Sequence, residues 1–251
     1  MGCLNTLLIG VPTRPGRPVC GVYSRTGAMP PKPPIAIALL AALAFAQSVP
    51  YPAHWWTPVP EEGKPDWEIL PQAARPSEVI VSKRNELGIL SNFAATPFTL
   101  RGKRYASVEG FWQMMLYPES PSDPRARAPG IVWPHTRDEV AQLTAFDAKA
   151  AGAAAEENMR KLAIDWVTFE GRRMPYRSAT KGEHYRLIAA AMRAKLEQNP
   201  KVREILLATG NLVLMPDHIQ ERDPPPEWRY CQIWMDIRAE LQRPTSNRAK
   251  P

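Results

Sequence analysis

The sequence predicts an α+β fold, a mainly helical single domain with a few short strands. Three observations predict it. Segments such as His184–Asn199 space Leu187, Ile188, Ala191 and Leu196 along one face at helical period. Only short runs alternate in the manner of strands, as in EVIVSK from Glu78 to Lys83. The two kinds of segment do not alternate regularly, which argues against a wound parallel sheet, and no repeat period is visible.

Taken in order, residues 1–46 read as an upstream extension followed by a signal peptide. Lys32 precedes an apolar run from Ile35 to Phe45, and Ala44-Phe45-Ala46 stands before Gln47 as a small-residue cleavage site. The run is shorter than the roughly 20 residues a membrane span needs. Met29 is then a natural start, cleavage follows Ala46, and export to a periplasmic or secreted location is expected, with a cytoplasmic location as the alternative. Residues 47–77 carry proline every few positions with Tyr51, Trp55, Trp56 and Trp67 between them. Disorder would not call for so many aromatics, so the segment reads as an extended linker or a strap on the domain surface.

The domain proper is expected over 78–242, with a basic tail at 243–251. After the strand at Glu78–Lys83, PFTLRGKRYAS from Pro97 to Ser107 reads as two short strands around Arg101-Gly102-Lys103. Ser107 is placed to cap a helix containing Glu109, and Thr136 and Glu139 have capping-box spacing. Thr144 to Trp166 is alanine-rich and helical for most of its length. Pro200 ends the helix of His184–Asn199, a further helix closes at Gly210, and NLVLM suits a last strand. DPPPEW reads as a loop before a terminal amphipathic helix.

The charge excess lies at the ends. Arg14, Arg17, Arg25 and Lys32 precede Gln47 and Arg243, Arg248 and Lys250 follow Gln242, with no acid in either stretch, so these account for the whole net charge of +7. The stretch between is formally neutral and gives no strong indication of a nucleic-acid partner. Cys231 is the lone cysteine after the cleavage point, which rules out an internal disulfide and a cysteine-based zinc site there; its apolar helical setting suits a buried small hydrophobe. There is no dinucleotide-binding glycine motif, P-loop, HExxH or GxSxG. His54, His135, His184 and His218 have no metal-ligand spacing and read as surface or capping residues. No metal and no cofactor are expected.

Glu109 stands out through its company. On a helix it shares a face with Trp112 and Gln113, with Phe111, Met114 and Met115 around it. A carboxyl in apolar surroundings has its pKa raised, which suits general acid or base work. The same pattern is compatible with a solvent-facing helix residue, or with a partner of Arg104.

The stretch GILSNFAATPFTLRGKRYASVEGFWQ resembles the opening motif of the NADAR, or YbiA-like, family: a Ser-Asn-Phe segment, a short hairpin, then Ser-x-Glu opening a helix. The resemblance continues through Ile164-Asp165-Trp166 and AMRAKLEQNPKVREILLATG, and runs from about Glu78 to Leu241. It implies a YbiA-like α+β fold. It also implies a hydrolase that cleaves an N-glycosidic bond, since members include N-glycosidases acting on ribosylated intermediates of riboflavin synthesis and others acting on ADP-ribosyl compounds. The expected partner is a small nucleotide-like or ribosyl substrate. The family's motif glutamate falls on Glu109 and its tryptophan on Trp166, and a later acidic residue falls on Asp217 or Glu221. Asn92, Phe93, Arg101, Arg104, Trp112, Gln113 and Asp165 are the expected substrate-binding residues, with Arg101, Lys103 and Arg104 suited to a phosphate.

Two departures accompany the resemblance. Gly110 stands where many members have histidine, and Leu116 stands where they have lysine. The family's glycine-rich C-terminal segment is replaced by ERDPPPEWRYCQIW. A non-catalytic nucleotide- or ADP-ribose-binding relative and a structural exported protein therefore remain as alternative readings.

Overall fold

The structure is a computed structural model that describes residues 51–243. The expected signal peptide, its cleavage site and most of the basic tail lie outside the described residues. Six α-helices and six short strands occur among the described residues, joined by several single 3₁₀ turns. The expected α+β class is what the structure has.

The strands form three separate two-stranded ribbons. β1 (Glu78–Ile80) pairs in parallel with β6 (Val213–Met215), in the register Val79 to Leu214. β2 (Phe98–Leu100) and β3 (Lys103–Tyr105) form a hairpin whose two loop residues, Arg101 and Gly102, have φ of 51° and 78°. β4 (Trp166–Phe169) and β5 (Arg172–Pro175) form another, with Glu170 and Gly171 at φ of 50° and 75°. Two positive φ angles in a two-residue loop match the twist of the flanking strands, which is why both turns carry glycine. This second hairpin is not among the elements expected from the sequence. The two turns meet: the Arg101 guanidinium donates to the Glu170 carboxylate.

Helix α1 (Val108–Met114) is buried along its whole length. It packs against α2 (Arg137–Ala141), α3 (Ala145–Lys161) and α4 (Glu183–Gln198), which surround it. These helices cover most of its surface, and its two polar residues, Glu109 and Gln113, are both buried. Ser107 caps α1, its Oγ accepting from Gly110 N at 2.9 Å, and Thr136 and Glu139 form the capping box at α2. Gly110 has a packing reason. A Cβ there would lie 2.5 Å from the Leu143 carbonyl oxygen and 2.9 Å from that of Val140, both backbone atoms that cannot swing aside. Leu116 is fully buried in the core.

The chain ends with α5 (Pro200–Ala208) and α6 (Tyr230–Gln242). Residues 51–77 lie against the domain. Trp55 is 1% exposed and donates from Nε1 to Glu86 at 2.6 Å, while Trp56 Nε1 donates to the Glu78 carbonyl at 2.9 Å. Ile69 N donates to the Asp217 carbonyl at 2.8 Å and Ile219 N to that of Trp67 at 3.0 Å. Arg84 grips Glu68 in the same segment with two bonds of 2.8 and 2.6 Å. Cys231 is buried, and that burial pushes its thiol well above the ordinary range.

Candidate active site

A cavity of about 500 Å³ opens on one side of α1, a volume suited to a small organic ligand. Its polar centre is Glu109, 6% exposed, whose Oε1 accepts from Gln113 Nε2 at 2.7 Å one turn along the helix. Oε2 has no hydrogen bond among the described residues. The solvent-facing reading of Glu109 and the pairing with Arg104 are both excluded, since Arg104 is exposed on β3. Burial pushes the Glu109 carboxyl above its ordinary range; the Gln113 bond and the nearby Lys149 and His218 offset this only in part.

The Ser-Asn-Phe segment forms the next piece of wall, and all three of its carbonyls are taken from behind. Ser91 O accepts from Lys195 Nζ at 2.7 Å, Asn92 O from Glu109 N at 3.0 Å and Phe93 O from Ala145 N at 3.1 Å. The backbone is thus tied at once to α4, α1 and α3, and the side chains of Asn92 and Phe93 face the cavity. Lys195 is fully buried, and the same burial pulls its ammonium down to about 7.

Aromatic rings make up much of the remaining lining. Phe93, Phe146 and Trp67 form a chain of edge and tilted contacts, with centroids 5.3 and 6.1 Å apart. Trp112 and Trp228 meet edge to face at 6.2 Å. Trp67 and Phe146 are exposed at the opening despite their size. Five buried polar atoms of the lining residues have no partner among the described residues: Asn92 Oδ1, Trp112 Nε1, Gln113 Oε1, Trp228 Nε1 and the Tyr230 hydroxyl. Such atoms are costly to bury and mark positions where a ligand's polar groups would be met.

Asp217, 1% exposed, sits behind this lining rather than on it. Lys83 Nζ donates to its Oδ2 at 2.5 Å, and His218 Nδ1 lies 3.2 Å from its Oδ1. Burial alone would raise its carboxyl, but the bonds from His218 and Lys83 prevail and hold it below the ordinary value. Glu221 is at the rim, where Arg177 donates to both of its oxygens at 2.6 and 2.8 Å. Lys149 also reaches the cavity and has no ion pair among the described residues.

Five expected residues are elsewhere. Trp166 does not line the cavity; it opens β4 and is sandwiched between Arg125 and Arg173, whose guanidinium carbons lie 4.7 and 3.6 Å from its ring centre. Asp165, beside it, is exposed, and its carbonyl accepts from Tyr176 N. Arg101 is spent on Glu170 at the hairpin tip, and Arg104 points to solvent on the same hairpin. Lys103 lies 3.9 Å from Asp138 and is likewise remote from Glu109's cavity. Two histidines also differ from expectation. His184 is fully buried, its Nδ1 3.0 Å from the Tyr176 carbonyl, and His218 lines the cavity.

Lys83, Trp67, Phe146, Lys149, Tyr176, His218, Trp228 and Tyr230 are among the lining residues that sequence reasoning missed. A signal existed for His218, which adjoins the acidic candidate Asp217. Trp67 could have been reached from the density of aromatics in the proline-rich strap. Among the described residues no group of three or more His, Cys, Asp or Glu side chains is placed to hold a metal ion, and no helix is long and apolar enough to cross a membrane.

No family model matches the chain, and no curated protein matches it. Among solved structures it is similar to the NMR structure of the E. coli protein YbiA, with 22% identity over 67% of this chain and 90% of that one, and a TM-score of 0.39. A likeness of that size says nothing about chemistry.

Proposed function

We propose that this protein is a hydrolase that cleaves the N-glycosidic bond of a ribosyl phosphate, nucleotide or ADP-ribosyl compound, with Glu109 as the catalytic carboxylate. The observation that carries the reading is one buried carboxyl, held by Gln113 through a single oxygen, inside an aromatic-lined cavity of nucleoside size. Rupture of a ribosyl C–N bond builds positive charge on the sugar, and a desolvated carboxylate stabilises that charge while drawing a proton from the attacking water. A raised pKa makes Glu109 the stronger base for that step. Phe93, Trp112 and Trp67 offer faces for the base, and Asn92 Oδ1 an acceptor for a ribose hydroxyl or a base edge. Lys149 is the cation available to a phosphate. The resemblance of the SNF and Ser-x-Glu segments to the NADAR family adds to this reading.

The test is a comparison of the unmodified protein with Glu109→Gln across a panel of ribosyl nucleotides, read by mass spectrometry for free base and ribose phosphate. Turnover by the former and none by the latter, with the fold retained, is the expected result. Full turnover by Glu109→Gln would refute the reading. A thermal shift with ADP-ribose but no product from any substrate would identify a binding protein that keeps the cavity without the chemistry.

A further inference from the structure

We infer that His218 is a second proton-transfer group of this cavity, the acid that protonates the departing base, and that Asp217 is the residue that positions it. The inference rests on the hydrolase reading above and assigns the half of the reaction that Glu109 does not perform.

The geometry behind it is built from several sides. His218 lines the same cavity as Glu109 but comes from the segment after β6. Its Nδ1 faces the Asp217 carboxylate at 3.2 Å, which leaves Nε2 with no hydrogen bond among the described residues. The Tyr230 ring lies parallel to the imidazole, at 7° and 6.1 Å between centroids. Asp217 is itself fixed, by Lys83 at 2.5 Å on its other oxygen and by Ile69 N on its carbonyl. An isolated bridge between His218 and Glu68, together with the bond from Ile219 N to Trp67 O, clamps the backbone to the strap. A carboxylate that receives Nδ1–H holds the ring in one tautomer and orientation, so Nε2 is the nitrogen that exchanges protons with whatever lies in the cavity.

The step balances without any further reactant than water. The bond between C1′ of the ribose and the base nitrogen breaks, and its electron pair goes to that nitrogen. The proton on His218 Nε2 passes to the base, leaving a neutral ring with Nδ1–H still on Asp217. Water adds to C1′, and its proton goes to Glu109. Solvent then returns a proton from Glu109 to His218, and the net change is one water consumed.

Leaving groups of different basicity separate this role from a structural one. Nicotinamide mononucleotide releases a neutral pyridine that needs no proton, whereas inosine monophosphate releases a base that must be protonated on departure. In His218→Gln the rate on inosine monophosphate is expected to fall further than the rate on nicotinamide mononucleotide by about 30-fold or more, within the range general acids supply. Asp217→Asn is expected to share that selective loss, and the imidazole nitrogen NMR signals should show the Nδ1–H tautomer no longer enforced. An equal loss on both substrates in His218→Gln, or none on either, would overturn the inference while leaving the role of Glu109 standing. Failure of the unmodified protein to release a base from any member of the ribosyl nucleotide panel, these two included, would overturn the hydrolase reading itself, and this inference with it.

Discussion

Replacing Gly152 by alanine should destabilise the protein, although the same change in most helices stabilises it. Gly152 lies on α3 where it crosses α1, and a Cβ added there would be 1.8 Å from Gln113 Oε1 and 2.2 Å from its Cδ. Ordinary contact is about 3.5 Å, so the Gln113 amide would have to retreat by well over an ångström. That amide is buried and bonded to Glu109 at 2.7 Å, so a retreat toward the cavity it lines breaks that bond and takes Gln113 out of its packed position. The helix gains about 1 kcal/mol from alanine over glycine. Against this, overpacking costs about 2 kcal/mol and an orphaned buried hydrogen-bonding group about 2 kcal/mol more. The net loss is about 3 kcal/mol, a fall of roughly 6–12 °C in Tm for a domain of this size. Calorimetry and urea melts of Gly152→Ala, Gln113→Ala and the double variant check it. Once Gln113 is truncated the clash is gone, so Gly152→Ala should cost at least about 1 kcal/mol less in that background. A single Gly152→Ala variant as stable as the parent would refute the argument.

Three further outcomes follow from the same geometry. Because burial raises the Glu109 carboxyl above its unfolded value of 4.5, the folded state binds that proton more tightly, and stability is lost as pH rises from the unfolded toward the folded value. The advantage of Glu109→Gln over the parent should therefore grow with pH across that window and then level off; a pH-independent difference in urea melts would contradict it. Burial lowers Lys195 from 10.5 to about 7, so its cost is full at low pH and fades as pH climbs from 7 toward 10.5. Parent stability measured over that range should carry a rising component that Lys195→Met removes. Trp67, 40% exposed at the opening, contributes little to the core, so Trp67→Ala should leave Tm nearly unchanged yet weaken ADP-ribose binding about tenfold by calorimetry, the loss of one stacked ring.

What could be read from the sequence was local. Ser107, the Thr136–Glu139 pair, Pro200 and Gly210 mark element ends through bonds that span a few residues, and each does so in the structure. The pairing of β1 with β6 joins residues more than 130 apart, and no local pattern encodes it. Glu170-Gly171 is a two-residue turn signal for the β4–β5 hairpin, but it follows directly on an alanine-rich helical run whose period says nothing of where the helix stops. The same split governs the site. Asn92, Phe93, Glu109, Trp112 and Gln113 belong to one stretch, and all reach one cavity. The expectation for Trp166 rests on resemblance alone, and its ring packs against Arg125 and Arg173 instead. Lys83 and His218 entered only through Asp217, a buried carboxylate that gathers side chains from two distant segments.

The parallel β1–β6 ribbon also sets a schedule. Everything from the strap to Gln113 is made early, but His218 and Trp228 come just before α6 and Tyr230 opens it. A chain still emerging from the ribosome therefore carries Glu109 without the wall that faces it. Until the final helix is free to dock, the carboxyl has neither its pocket nor its dry surroundings. A fragment ending before His218 would therefore carry Glu109 with its cavity open on that side.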